Sequence, residues 1–159
     1  MARLKDVVDE CLTVADAYVD ISSSTYNELS AVNWEDNDKD FPMFLFDKRS
    51  VNVTVDKYSR TNLPSSSIYT ATVYFFNTYK ESEKASTDLQ TKQDTLIDYA
   101  SKYFAELRSR NESGSNGFYL GAISFNSLDE AHSGNLIQLA YNVEFIVKVE
   151  NCTLGDFNY

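Results

Sequence analysis

Few side chains in this chain are of types that carry chemistry, and their spacing sets narrow limits on what they could do. His132 is the only histidine in 159 residues. It sits in Asp129-Glu130-Ala131-His132-Ser133-Gly134, where a neighbouring carboxylate could form an acid–base pair with it. A solvated loop histidine is the expected reading. One histidine cannot build a histidine-rich zinc site, and the two cysteines, Cys11 and Cys152, stand too far apart in the chain to complete one. Nothing in their spacing argues for a disulfide. Asp36, Asp38 and Asp40 alternate as in the first half of a calcium loop. Phe41 then stands where the turn glycine belongs and Asp47 where the closing glutamate belongs, so a solvated charged loop is expected instead. Serines are abundant, but none lies in a nucleophile elbow of the G-x-S-x-G kind. Gly114-Ser115-Asn116-Gly117 is too short for a phosphate loop and lacks the lysine that should follow. Asp94, Asp98 and Lys102 succeed one another at one helical turn, which makes a surface charge ladder. The chain is therefore read as a protein without catalytic, metal or cofactor residues.

Charge narrows the partners. The net charge is −10, and residues 1–40 hold ten acidic against three basic residues. Such a surface repels phosphate, so the chain is not expected to grip DNA or RNA, although a duplex could pass it without sticking. The start of the chain runs straight into acidic residues without the apolar segment of an export leader. No stretch approaches the ~18 consecutive apolar residues of a membrane span. A cytoplasmic product with no membrane partner is expected. Cys11 then reads as a buried free thiol.

The elements that would position these groups follow from periodicity. Leu4, Val8, Cys11, Leu12, Ala15, Tyr18 and Val19 recur at three- and four-residue spacing and predict a helix over 3–20. Ser22-Ser23-Ser24-Thr25 should end it, and 26–40 should be irregular and acidic. Met43–Asp47 reads as a strand with Phe44 and Phe46 on one face. Val51, Val53 and Val55 alternate with polar residues over 49–58, and a tight turn at Asp47-Lys48 would join these two strands as a hairpin. Ile68–Tyr79 is a third strand, rich in Tyr, Thr, Val and Phe. Leu89, Leu96, Ile97, Ala100, Tyr103, Phe104 and Leu107 form the stripe of a second helix over 87–110, opened by Thr87 and Gln90 in a capping-box spacing. Phe118–Asn126 and 136–150 close the chain as strands. The second alternates so regularly, from Ile137 to Val149, that part of it could reach past the core or pair with another chain. The fold class is α+β, a mostly antiparallel sheet with two main helices packed on it in the order α-β-β-β-α-β-β. Residues 1–150 read as one domain, followed by a tail over 151–159 that could dock on a neighbour.

Aromatic residues are the remaining signal. They make up 14% of the chain. Tyr58, Tyr69, Tyr74, Phe75, Phe76 and Tyr79 crowd the central strands, more than one core of this size should need, which favours a contact surface over core alone. Candidate contact residues are Trp34, Asp36, Asp38 and Asp40 in the acidic loop, Tyr58 and Arg60 beyond the valine strand, Tyr74 and Phe76 in the third strand, and Phe157 and Tyr159 in the tail.

The order helix, hairpin, further strand, long helix and two closing strands resembles the tail-terminator (tail-completion) and neck-ring proteins of tailed bacteriophages, crAss-like phages among them. The segments Val51-Asn52-Val53-Thr54-Val55-Asp56-Lys57-Tyr58-Ser59-Arg60 and Tyr69-Thr70-Ala71-Thr72-Val73-Tyr74-Phe75-Phe76 look like the central strands of such proteins. The resemblance implies a structural virion protein, made in the host cytoplasm, that forms a ring of six copies or a multiple. It implies neck, portal or tail-tube proteins as neighbours and DNA only as passing cargo. It supplies no catalytic residue. Two other classes remain open at this point: an assembly chaperone or adaptor that binds a partner transiently, and a small hydrolase.

Overall fold

A computed structural model describes residues 3–32, 40–55, 66–80, 82, 87–130 and 135–148. The first element is helix α1, Leu4–Ala17. It buries Val7, Val8, Cys11, Val14 and Ala15 on one stripe. The Asp6 carboxylate accepts the Arg3 backbone N–H at 2.7 Å, which satisfies one of the free donors at the helix start. The helix stops before residue 20 because Tyr18 takes an extended conformation. The Ile21 N–H then bonds to Tyr18 O at 3.0 Å. Ile21 is thereby buried, and Val19, expected on the apolar stripe, is 89% exposed.

Six strands follow, with two short 3-10 turns among the first three: β1 Ser23–Asn27, β2 Met43–Asp47, β3 Asn52–Val55, β4 Ser66–Thr78, β5 Phe118–Glu130 and β6 Leu136–Lys148. Helix α2, Thr87–Arg110, lies between β4 and β5 in sequence. The sheet runs β1-β2-β4-β6-β5, and β3 also pairs with β4. Among the described residues, only β1 and β2 are parallel and every other pairing is antiparallel. This is the expected α+β class.

Both helices lie on one face of the sheet. Phe44, Phe46, Val73, Phe75, Leu139, Val143 and Phe145 meet Val7, Cys11, Leu96, Ala100, Tyr103 and Leu107 in a single core. Phe75 packs edge-on against Phe44, Tyr103, Phe104 and Tyr141. Each such ring contributes about 1.5–3 kcal/mol through burial alone. The Tyr103 hydroxyl is satisfied by donating to Cys11 O at 2.9 Å. A smaller cluster occupies part of the opposite face, where Val32, Met43, Leu45, Phe76 and Leu136 are buried, with Leu29, Phe41 and Tyr74 against them.

Three expectations need correction. Ser23–Asn27 is a strand, not a helix stop leading into irregular chain. Its polar side chains hide the pattern: Ser23 Oγ donates to Asp40 O at 2.6 Å, and Ser24 Oγ donates to the Asp16 carboxylate. No hairpin turn exists at Asp47-Lys48. β2 and β3 instead lie in line along the same side of β4, β2 against Val73–Phe76 and β3 against Ser67–Thr70. The 3-10 turn Lys48–Ser50 bridges them. Ser50 Oγ takes the place of the interrupted ladder, accepting the Thr72 N–H at 2.7 Å and donating to Asp47 O at 2.6 Å. Finally, β6 as described, Leu136–Lys148, stays within its own sheet, while residues 149 and 150 of the alternating run lie outside the described residues. Leu136–Lys148 is in register with Ser66–Thr78 on one side. On its other side lies β5, which extends through residues 128–130 where a loop was expected.

Candidate functional site

The sheet order leaves β5 at one end and β1 at the other, with β3 set one strand inward below β1. Among the described residues, no strand pairs with the outer side of β1, β3 or β5. An unpaired edge presents backbone donors and acceptors in a row and acts as a template for another strand. β5 is the long case, 13 residues against 5 for β1. Its run from Phe118 to Leu128 contains no charged residue and no proline, two of the devices that keep edges apart. Two irregularities in its pairing with β6, between Leu120 and Ile123 and between Phe125 and Ser127, bend it instead.

The first bulge is held from both sides. Arg108, near the end of α2, donates to Leu120 O at 3.3 Å and to Gly121 O at 2.9 Å. The Glu144 carboxylate accepts the Ala122 N–H at 3.2 Å. The end of α2 is itself anchored by Asn111, a buried side chain whose amide donates to Leu107 O at 2.7 Å. The bend in β5 is therefore tied to the helix layer.

Side chains mark the same edges. Exposed large apolar residues are Phe125 on β5 at 58%, Tyr26 on β1 at 38%, Val53 on β3 at 57%, and Val19. The face of the sheet away from the helices is polar beyond the small cluster. Thr72 Oγ1 donates to Asn142 Oδ1 at 3.1 Å, and Asn126 donates to the same oxygen at 3.4 Å. These bonds knit β4, β6 and β5 across that face.

Of the candidate contact residues, Asp40 is exposed at the entry to β2. Phe76 is completely buried, stacked on Tyr74 at 5.8 Å, so its ring belongs to the core rather than the surface. Tyr74 is half-buried, and burial, with the Asp47 carboxylate nearby, raises its hydroxyl above the ordinary tyrosine value. Phe75 and Tyr79 are core residues as well, because the helix layer and the cluster on the other face together absorb more aromatic rings than one core face could. Trp34, Asp36, Asp38, Tyr58, Arg60, Phe157 and Tyr159 lie outside the described residues, as do His132 and Cys152. Cys11 is a buried free thiol pushed up to about 12 by burial. Asp94, Asp98 and Lys102 are exposed on α2.

Sequence reasoning passed over Tyr26, Val53 and Phe125 as contact residues. A signal existed for Phe125, an isolated ring within Ser124-Phe125-Asn126-Ser127. Among the described residues, no three His, Cys, Asp or Glu side chains group as a metal site, and no helix is long and apolar enough to cross a membrane. Comparison with protein-family models and with curated proteins finds no match for this chain.

Proposed function

We propose that this chain is a structural subunit that assembles with copies of itself into a ring at the neck or tail end of a tailed-phage particle. The observation that carries the reading is the sheet's open ends, above all the 13-residue edge strand β5, uncharged from Phe118 to Leu128. Two different edges on one molecule favour a heterologous contact, in which one surface meets another and the chain of contacts forms a ring when the rotation between copies closes. The resemblance to tail-terminator and neck-ring proteins in element order supplies the setting. The closing antiparallel pair β5–β6 follows that order, whereas its opening hairpin is not formed between β2 and β3 and β1 adds a strand before it. A net charge of −10 suits a channel through which DNA passes without being held.

Negative-stain electron microscopy of the purified chain, alone and mixed with portal or tail-tube proteins of a tailed phage, tests this. The expected result is closed rings with a central opening, with a mass that is six times the 18.1 kDa chain or a multiple of that. A monodisperse monomer under both conditions would remove the reading.

A further inference from the structure

We infer that copies of this chain join head to tail through the ends of the sheet, β5 of one copy lying antiparallel to β1 of the next with Phe125 set against Tyr26. This rests on the self-assembly reading above and names the surfaces that would carry it.

The register singles out these two residues. Tyr26 is in register with Phe46, Phe46 with Val73, Val73 with Tyr141, and Tyr141 with Phe125. One apolar row thus crosses five strands on the helix-covered face. Its middle is core: Phe46 and Val73 are buried, and Tyr141 packs against Phe104. Its two ends are open, Tyr26 at 38% and Phe125 at 58%. Each end ring already leans on its inner neighbour, Tyr26 on Phe46 at 5.6 Å and Phe125 on Tyr141 at 5.9 Å. Placing one copy beside the next in the same orientation makes the row continuous.

Strand direction agrees. β5 is antiparallel to β6, β6 to β4, and β4 to β2, while β1 is parallel to β2. β5 and β1 therefore run in opposite directions, and like-oriented copies bring them together as an antiparallel pair with ladder bonds perpendicular to the strands. Charge agrees as well. Copies of a chain with net charge −10 repel one another over most of their surface. Ser23–Asn27 and Phe118–Leu128 contain no charged residue, and the carboxylates that reach them, Asp16 at Ser24 and Glu144 at Ala122, are each engaged in a hydrogen bond within the subunit. A second copy is therefore the occupant that both ends of the row fit. The two bulges add twist to β5, and a rotation at each junction is what closes a ring rather than extending a flat sheet.

The test is disulfide trapping in a Cys152→Ser background, with Cys11 left in place because it is buried. Tyr26→Cys with Phe125→Cys in one chain is expected to give a ladder of covalent oligomers under mild oxidation, and either substitution alone a monomer band. Light scattering on the same samples reports the assembled mass. An assembled mass without a ladder overturns the β5–β1 contact and leaves the ring reading standing. Dimers from Phe125→Cys alone overturn it in favour of β5 meeting β5. A monomeric mass at every concentration overturns both. Phe125→Glu, at an exposed site, should keep the melting midpoint of the dilute monomer while lowering the apparent association constant about tenfold or more, since ~1.4 kcal/mol corresponds to a factor of ten. Unchanged association would also contradict the contact.

Discussion

Replacing Ser50 with alanine removes one hydroxyl from the joint between β2 and β3. In the native chain that oxygen accepts the Thr72 N–H at 2.7 Å and donates to Asp47 O at 2.6 Å. A protein hydrogen bond is worth about 1 kcal/mol net, and a buried group left without a partner costs about 1–3 kcal/mol. Thr72 and Ser50 are only partly buried, so water can reach the orphaned groups and the lower part of that range applies. Ser50→Ala should therefore destabilise the chain by about 1–2 kcal/mol. For a domain of this size that lowers the melting midpoint by about 2–8 °C. Urea unfolding followed by far-ultraviolet circular dichroism gives the free energy, and hydrogen exchange at the Thr72 amide gives the local effect. A shift below about 1 °C with unchanged Thr72 protection would refute the in-line arrangement of β2 and β3. It would restore the hairpin suggested by the valine alternation.

Arg110 pairs with Glu10 through Nε at 2.7 Å and Nη2 at 3.3 Å, tying α2 to α1. Arg110→Ala should cost about 1 kcal/mol in urea unfolding, with Arg110→Lys recovering only part, because lysine lacks the planar fork. Gly114→Ala forces a side chain onto a residue with φ of +70° and sets Cβ 2.5 Å from the Tyr119 ring. A loss of about 1–3 kcal/mol is expected by thermal melting, relieved in part by Tyr119→Ala. The Cys11 thiol, raised from 9.0 to about 12 by burial, should resist iodoacetamide in the folded chain at pH 9 and react once urea unfolds it. Its contribution to stability is complete below pH 9 and declines as pH rises toward 12, where the unfolded thiol ionises first. Tyr103, also raised by burial, acts in the same direction. A melting midpoint that stays flat across that alkaline interval would contradict the buried Cys11–Tyr103 contact.

The strongly periodic elements were legible because each carries one regular apolar stripe, although Leu136, Gln138 and Ala140 of β6 are buried on its other face as well. The Leu89–Leu107 stripe and the Ile137–Val147 alternation each point one way, into the helix–sheet core. β1 was not legible because Ser23-Ser24-Thr25-Tyr26-Asn27 satisfies its side chains through hydrogen bonds to Asp16 and Asp40 rather than by apolar packing. β5 was cut short because the bulge at Phe125/Ser127 slips the two-residue period, so Leu128 falls out of step with Ile123 and Phe125. Phe76 looked like surface because the cluster on the second face draws on Val32, Met43 and Leu136, from three separate stretches of chain. The open edges had no local signature beyond the isolated ring of Phe125. Whether a strand lies at an edge depends on the order β1-β2-β4-β6-β5, which no single strand encodes.

Hydrogen exchange of the backbone amides, read by mass spectrometry in dilute and in assembled samples, bears most directly on the edges. Assembly through the sheet ends predicts slowed exchange in Ser23–Asn27 and Phe118–Leu128, with the central strands Ser66–Thr78 and Leu136–Lys148 unchanged. Assembled protein in which both edge segments exchange as fast as in the monomer would contradict it.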